Sequence, residues 1–300
     1  MDVMHGKSTN LLFGINLYLA CRILISEPVP KLSIITINYN NATGLQRTMQ
    51  SVFEQQFTHY EYIVIDGGST DGSRECIVRN AGKLAYWVSE KDKGIYPAMN
   101  KGITASKGDY LLFLNSGDYF AGPNVCSQLL ENISTKTDIV YGNVDVVLPD
   151  LSKTQFIAPQ NLTIDYMLAG TLFHPATLIR KRLFDEYGLY DERLKIVSDW
   201  AFFFKVIVSG NAACEYKNMI VSVYHKDGIS SKLENQRVIK EEREKVIQAN
   251  LPTVVSKLLA ERDELQKQAA LKDLELRSRK LLFTRLLKRL YEDATRLYKK

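Results

Sequence analysis

Short β-rich runs alternate with helical patterns along the first half of the chain. The runs at residues 32–37, 62–65 and 110–114 are apolar on both faces, as in the strands of a covered parallel sheet. Candidate helices lie between them at residues 44–55, 73–80 and 96–106, each after a polar or Gly-rich turn. This βαβ rhythm predicts an α/β fold with a doubly wound, mostly parallel sheet.

A polar cluster follows each of these three predicted strands, at residues 38–41, 66–72 and 115–118. Because the carboxyl ends of parallel strands meet at one edge of a sheet, ligands are expected beside these clusters. Any one cluster is also explained by turns and helix caps, which favour Asn, Asp and Gly. Three clusters at the same edge favour a binding site.

The clusters contain neither common phosphate-binding loop. No G-x-G-x-x-G follows the first strand, and no G-x-x-x-x-G-K-[ST] occurs anywhere in the chain, so the dinucleotide fingerprint and the P-loop are both excluded. Carboxylates with a divalent cation are the alternative, because a hard cation with oxygen ligands can bridge two phosphates.

Composition and charge narrow the class of protein. With 300 residues and 45% hydrophobic content, the chain can bury one substantial core. Its four scattered cysteines form no C-x-x-C pair, which favours a reducing cytosol over a disulfide framework or a zinc site. The net charge is +5, but residues 277–300 hold nine Lys or Arg against Glu292 and Asp293, or +7. The remaining chain is therefore −2, which argues against nucleic-acid binding.

Five segments in fixed order resemble family 2 glycosyltransferases of the GT-A fold. They are residues 33–40, 65–72, 89–102, 112–118 and 197–200. The resemblance covers about residues 31–230 and is nearest to the bacterial branch that builds exopolysaccharide, capsule, O-antigen and colanic acid. It implies a nucleotide-sugar half at 31–147 and an acceptor half at 148–230. An apolar extension at 1–30 precedes them, and a helical, basic amphipathic tail at 231–300 follows.

The resemblance implies an inverting hexosyl or N-acetylhexosaminyl transferase with Asp199 as catalytic base and Asp118 as ligand of Mn²⁺ or Mg²⁺. Asp118 is the single carboxylate of its motif, so nucleotide phosphates and waters would complete the metal shell. Ser198 is expected to cap the helix that carries Asp199. The residues implied in binding a UDP- or GDP-linked sugar donor are Asn38, Tyr39, Asn40, Asp66, Gly67, Asp92, Gly94, Asn100, Asn115 and Gly117.

Some assignments keep an alternative. His174 and Arg180 are expected on the acceptor side and His225 near the metal, although a lone His is more often a structural hydrogen-bonding residue. Asp199 also suits a helix N-terminus through the helix dipole alone.

The acceptor is expected to be a saccharide or a polyprenyl-linked saccharide, with the enzyme in the cytoplasm or on the inner face of the plasma membrane. Leu282, Leu286 and Leu290 lie among basic residues at 277–300, which fits either membrane contact or helix packing. The apolar run at residues 11–25 is too short for a span. A non-catalytic nucleotide-sugar-binding scaffold is the competing function. A nucleotidyltransferase is disfavoured, because no Gly-rich triphosphate loop follows the first strand.

Overall fold

The computed structural model describes residues 31–226 and 228–297. The apolar run predicted at residues 11–25 lies outside them. The described chain divides into two compact units, one ending at Arg243 and the other beginning at Glu244.

The first unit is built on one mixed sheet. The strands are β1 Leu32–Asn38, β2 Tyr60–Asp66, β3 Tyr86–Ser89, β4 Tyr110–Phe113, β5 Tyr119–Phe120, β6 Ile139–Val147, β7 Lys153–Phe156, β8 Thr177–Arg180 and β9 Cys214–His225. Their order across the sheet is β3-β2-β1-β4-β8-β6-β9-β5, with β7 paired to β6. The helices are α1 Ala42–Phe53, α2 Ser73–Asn80, α3 Ile95–Ala105, α4 Val125–Leu130, α5 Ile164–Ala169, α6 Arg182–Tyr187, α7 Ser198–Phe204 and α8 Gln236–Asn250.

The predicted α/β fold is confirmed. Strands β1 to β4 are mutually parallel, and α1, α2 and α3 occupy the predicted crossovers. Helix α1 begins at Ala42, two residues earlier than predicted, because Asn41 caps it: the Asn41 Oδ1 accepts the backbone N–H of Gly44 at 3.1 Å. A side-chain acceptor at this position satisfies an otherwise unpaired helical donor.

The core lies on both faces of the central strands, where β1 and β4 bury nearly every side chain. Helix α3 approaches β1 closely at Gly102. A Cβ atom placed there would lie 2.5 Å from the Ile35 Cγ2, so only glycine allows this helix-to-sheet distance.

Beyond β4 the sheet changes direction. Strand β8 runs antiparallel to both β4 and β6, whereas β6 and β9 are parallel to each other. The ends of β6 and β9 therefore come to the same edge as the polar loops after β1, β2 and β4.

The second unit is dominated by one long helix, α9, Thr253–Leu297, in agreement with the predicted helical C-terminal extension. Its surface includes large exposed apolar side chains, among them Leu274, Leu282 and Phe283. Within residues 31–226 and 228–297, no helix combines the length and apolar character needed to cross a membrane.

Candidate active site

A cleft of about 980 Å³ opens at the edge of the sheet where the polar loops meet. Its lining includes Asn115 and Asp118 after β4, His225 at the end of β9, and both His174 and Asp199 from the second half of the domain. The structure thus brings the predicted metal ligand and the predicted base to one cavity, although they lie far apart in the sequence.

The loop that carries Asp118 is pinned to α1. The Thr48 hydroxyl donates to the carbonyl of Asp118 at 2.6 Å, and an Arg47 guanidinium NH2 donates to the carbonyl of Gly117 at 2.6 Å. Gly117 has a φ of 111°, in the left-handed region that favours glycine. The loop turns sharply there, and the largely buried carboxylate of Asp118 accepts the backbone N–H of His225 at 3.1 Å.

The oxygen atoms of this loop fit a hard divalent cation. Asp118 supplies a carboxylate, and the Asn115 Oδ1 is buried without a hydrogen-bond partner, so it can act as a neutral oxygen ligand. Across the described part of the chain, no three His, Cys, Asp or Glu side chains come together as they would around an ion held by protein alone. A Mg²⁺ or Mn²⁺ ion would therefore need phosphate and water oxygens to fill its shell.

Asp199 lies in the first turn of α7 with its side chain 29% exposed. The Tyr96 hydroxyl lies 3.0 Å from the Asp199 Oδ1 and 2.5 Å from the carbonyl oxygen of Ile196. The His174 Nδ1 lies 3.9 Å from the other carboxylate oxygen. These contacts leave part of the carboxylate open to the cleft, where an incoming hydroxyl can reach it.

Burial shifts the pKa of three neighbours of Asp199 in the direction that favours their neutral forms. Burial lowers the pKa of His174, opposed by the charge of Asp199. Burial and then the same charge raise the pKa of Tyr96 and of Tyr190. The His174 Nε2 in turn lies 3.0 Å from the Tyr190 hydroxyl. The direct contacts to the carboxylate therefore come from Tyr96 and His174, and the charge of Asp199 also acts on the guanidinium of Arg243.

The segment before α7 is held by Glu242, a residue of α8. The Glu242 carboxylate accepts three backbone N–H groups, from Lys195 at 2.7 Å, Ile196 at 3.1 Å and Val197 at 3.3 Å. Glu242 is only 8% exposed. A run of charged residues carries no sequence signal that one of them is buried.

The capping role predicted for Ser198 was wrong. Helix α7 begins at Ser198 itself, with Val197 in the cap position and no side-chain cap bond. The Ser198 hydroxyl is buried and has no hydrogen-bond partner. Glu242 instead accepts the N–H groups of the three residues that precede the helix.

Asp66 is directed into the protein rather than into the cleft. Its buried carboxylate accepts the Asn38 amide at 2.7 Å, the Ser69 hydroxyl at 2.5 Å, the Ser69 backbone N–H at 3.0 Å and the Ser89 hydroxyl at 2.6 Å. Burial favours a higher pKa for Asp66, but the hydrogen bonds from Ser69, Ser89 and Asn38 outweigh it and lower the pKa. Asp66 therefore shapes the turn that the sequence assigned to the donor.

The remaining residues of that turn form a network between β1 and β2. The Gly67 N–H donates to the carbonyl of Asn38 at 2.9 Å, and the Asn40 Oδ1 accepts the Thr70 N–H at 2.9 Å. The Asn38 Oδ1 is buried without a hydrogen-bond partner. Tyr39 is 69% exposed, so its ring is available to a ligand.

Asp92 and Asn100 line a second cavity of about 710 Å³ beside α3, rather than the main cleft. The Asp92 carboxylate pairs with Lys101. The Asn100 side chain bonds the backbone N–H and carbonyl of Tyr190 at 3.1 and 2.9 Å. Gly94 is the cap residue of α3, with a φ of 146°.

Arg180 lies at the opposite edge of the sheet and does not reach the cleft. Because β8 runs antiparallel to β4, Arg180 pairs with Tyr110 at the start of β4. Its guanidinium donates to the Tyr110 hydroxyl at 2.8 Å and to the carbonyl of Thr137 at 3.0 Å. Its role in the structure is to join these segments.

Solved structures share this fold at low sequence identity. One is S. aureus TarS 1-349 in complex with UDP, at a TM-score of 0.55 and 20% identity over 65% of this chain and 60% of that chain. Another is the mannosyltransferase PcManGT from Pyrobaculum calidifontis in complex with GDP-Man and Mn²⁺. Its TM-score is 0.51 and its sequence identity 15%, over 72% of this chain and 66% of that chain. The chain thus spans less than two thirds of either solved chain.

Sequence relatives agree with the fold. An uncharacterized glycosyltransferase of Mycobacterium tuberculosis is 38% identical over 178 residues, which cover 58% of this chain and 67% of that protein. A PGL/p-HBAD biosynthesis glycosyltransferase of Mycobacterium bovis is 27% identical over 218 residues, which cover 70% of this chain and 83% of that protein. The family model described as glycosyl transferase family 2 matches residues 33–188, just over half of the chain. The chain therefore belongs to glycosyl transferase family 2.

Proposed function

We propose that the protein is a metal-assisted, inverting glycosyltransferase. It moves a hexosyl or N-acetylhexosaminyl group from a UDP- or GDP-linked donor to a hydroxyl of a saccharide or lipid-linked saccharide. The observation that carries the proposal is that Asp118 and Asp199 line the same cleft. The complexes of TarS with UDP-GlcNAc and of PcManGT with GDP-Man and Mn²⁺ support a nucleotide-sugar donor and a divalent cation.

In the proposed reaction, Asp199 takes the proton of the acceptor hydroxyl as its oxygen attacks the anomeric carbon of the donor. The bond from that carbon to the nucleoside diphosphate breaks in the same displacement, so the configuration inverts. Asp118 and Asn115 would hold a Mn²⁺ or Mg²⁺ ion, which stabilises charge on the diphosphate. Tyr96 keeps Asp199 oriented through the 3.0 Å contact.

We place the reaction in cell-surface glycoconjugate or polysaccharide assembly, on the cytoplasmic side of the membrane. The strongly basic segment at residues 277–300 supports contact with an anionic lipid surface. The name of the mycobacterial PGL/p-HBAD biosynthesis relative supports a glycolipid acceptor.

The test compares Asp199→Asn with Asp185→Asn, an exposed Asp on α6 whose side chain is 70% exposed. Release of nucleoside diphosphate is measured with Mn²⁺ across a panel of nucleotide sugars and acceptors. Removal of a general base is expected to slow turnover by about 10²- to 10⁴-fold, whereas Asp185→Asn should keep wild-type turnover. Donor-induced thermal stabilisation should survive in both variants.

Two outcomes oppose the proposal. Wild-type turnover in Asp199→Asn would remove the base assignment. Donor binding with no turnover over the whole acceptor panel would favour a non-catalytic scaffold that binds nucleotide sugars.

A further inference from the structure

Part of the cleft wall is a connected apolar surface, formed by Leu148, Phe156, Phe173 and Tyr224. The rings of Phe156 and Phe173 have centroids 4.9 Å apart, and those of Phe173 and Tyr224 are 5.3 Å apart at 69°. These four residues are defined here as the apolar wall. All four are half-buried and pack against the main hydrophobic core behind them, so the wall is supported and each residue keeps a face on the cleft.

The apolar wall adjoins both polar groups of the proposed reaction. Phe173 directly precedes His174, whose Nδ1 lies 3.9 Å from the Asp199 carboxylate. Tyr224 directly precedes His225, whose backbone N–H donates to Asp118 at 3.1 Å. An acceptor that presents a hydroxyl to Asp199 therefore has the apolar wall beside the rest of its body.

The apolar lining continues into the segment after β9. Ile229 and Leu233 line the same cleft and are 44% and 90% exposed. They extend the apolar lining of the cleft beyond the wall, and a contiguous apolar lining of this kind is typical of ligand-binding sites. A sugar ring can place its C–H face on an aromatic side chain, but the aliphatic side chains of Ile229 and Leu233 offer its hydroxyl groups no hydrogen bonds.

We infer that the apolar wall, with Ile229 and Leu233, is the subsite for a hydrocarbon aglycone carried by the acceptor. The inference rests on the proposed function and narrows its acceptor class to glycolipids or aryl glycosides whose apolar group lies near the reacting sugar. Burial of hydrocarbon against such a wall favours binding in proportion to the area removed from water. The aromatic pairs add a preference for ring edges and faces.

The experiment uses the full chain with methyl, n-octyl and phenyl glucosides, and the same set for mannose, rhamnose and N-acetylglucosamine. The octyl compounds are kept below their micellar concentration. Affinity is measured by isothermal titration in the presence of UDP or GDP with Mn²⁺, and transfer is measured with the panel of nucleotide sugars. For at least one sugar, octyl or phenyl derivatives should bind at least ~10-fold more tightly than the methyl derivative. A comparison of the octyl with the phenyl derivatives distinguishes a lipid aglycone from an aromatic one.

Phe156→Ala should abolish this preference, because it removes one of the two rings at the centre of the apolar wall. The matched control is Ile157→Ala, at the neighbouring position, where the side chain is 55% exposed and outside the cleft lining; it should keep the preference. Leu233→Ser tests the part of the subsite that lies outside the apolar wall. Because Leu233 is 90% exposed, this substitution leaves the hydrophobic core intact. It should reduce the preference at least ~3-fold.

Equal affinity for methyl, octyl and phenyl derivatives of every sugar would overturn the inference. A preference that survives both Phe156→Ala and Leu233→Ser would overturn it as well. The two proposals fail separately. A preference for octyl or phenyl glycosides without any donor turnover would reject the transferase and retain the subsite, whereas turnover without a preference would do the reverse.

Discussion

Glu242→Gln tests how the base is positioned. The substitution keeps the size of the side chain but replaces a carboxylate that accepts three backbone N–H groups, at residues 195, 196 and 197. An amide has one oxygen, so at least one N–H faces an NH2 group and all three bonds lose their charge assistance. Hydrogen bonds to a charged group contribute about 1.5–3 kcal/mol each. Because two bonds can survive in weaker form, we expect a loss of about 2–4 kcal/mol in the free energy of unfolding.

Glu242→Gln should also lower the rate of the reaction. The segment 195–197 leads directly into α7, which carries Asp199 in its first turn. A misplacement of about 1 Å in a reacting group can cost about 10²-fold in rate. We therefore expect Glu242→Gln to lower kcat about 10- to 100-fold while donor affinity stays the same.

Glu241→Gln is the matched control. Glu241 is the preceding residue, its side chain is 51% exposed, and it pairs with Arg237 one helical turn away at 2.7 Å. Loss of an exposed pair of this kind costs about 0.3–0.5 kcal/mol. Urea unfolding is followed by the fluorescence of Trp87 and Trp200, the two tryptophans of the chain. Both lie in the first unit, so the signal reports the domain that holds Glu242.

A Glu242→Gln variant within 0.5 kcal/mol of wild type by this signal, about the cost of the exposed pair, would contradict the role of the three N–H bonds. Unchanged kcat in a destabilised variant would show that the segment before α7 is held by other contacts. Either result separates a structural from a positioning role.

Two further predictions concern the loops beside the cleft. Asp66→Asn should destabilise the protein at neutral pH, because the pKa of Asp66 is lowered by bonds from Ser69 and Ser89 that outweigh its burial. A carboxyl group whose pKa is lowered in the native state stabilises the fold fully above its ordinary pKa of about 4, and this stabilisation is lost as the pH falls through the native pKa. The variant lacks this group, so its melting temperature should depend less on pH than that of the wild type below about pH 4. Parallel profiles of melting temperature against pH would refute this. Gly117→Ala should cost about 1–2 kcal/mol, because φ is 111° there, and weaken Mn²⁺ binding beside Asp118 in titrations with UDP; unchanged Mn²⁺ affinity would separate the loop from the metal.

Local pattern was sufficient for the first half of the fold. The runs at β1, β2 and β4 are apolar on both faces because strands in a covered parallel sheet are buried on both sides. Residues that favour turns and helix caps follow these strands directly, so the positions of the polar loops could also be predicted from the sequence. Since parallel strands end at one edge of a sheet, the sequence alone predicted that these loops lie together.

Only the tertiary structure distinguished residues with the same local pattern. Glu241 and Glu242 are adjacent acids in a charged run, yet Glu242 is buried against the segment 195–197. Arg180 was expected on the acceptor side, but the antiparallel direction of β8 carries it to the opposite edge of the sheet. Asp66 belongs to the predicted loop, but its carboxylate is directed inward by Asn38, Ser69 and Ser89. Residue type and spacing determine which elements form, whereas burial and partner choice depend on strand order and direction, which are set by contacts between distant segments.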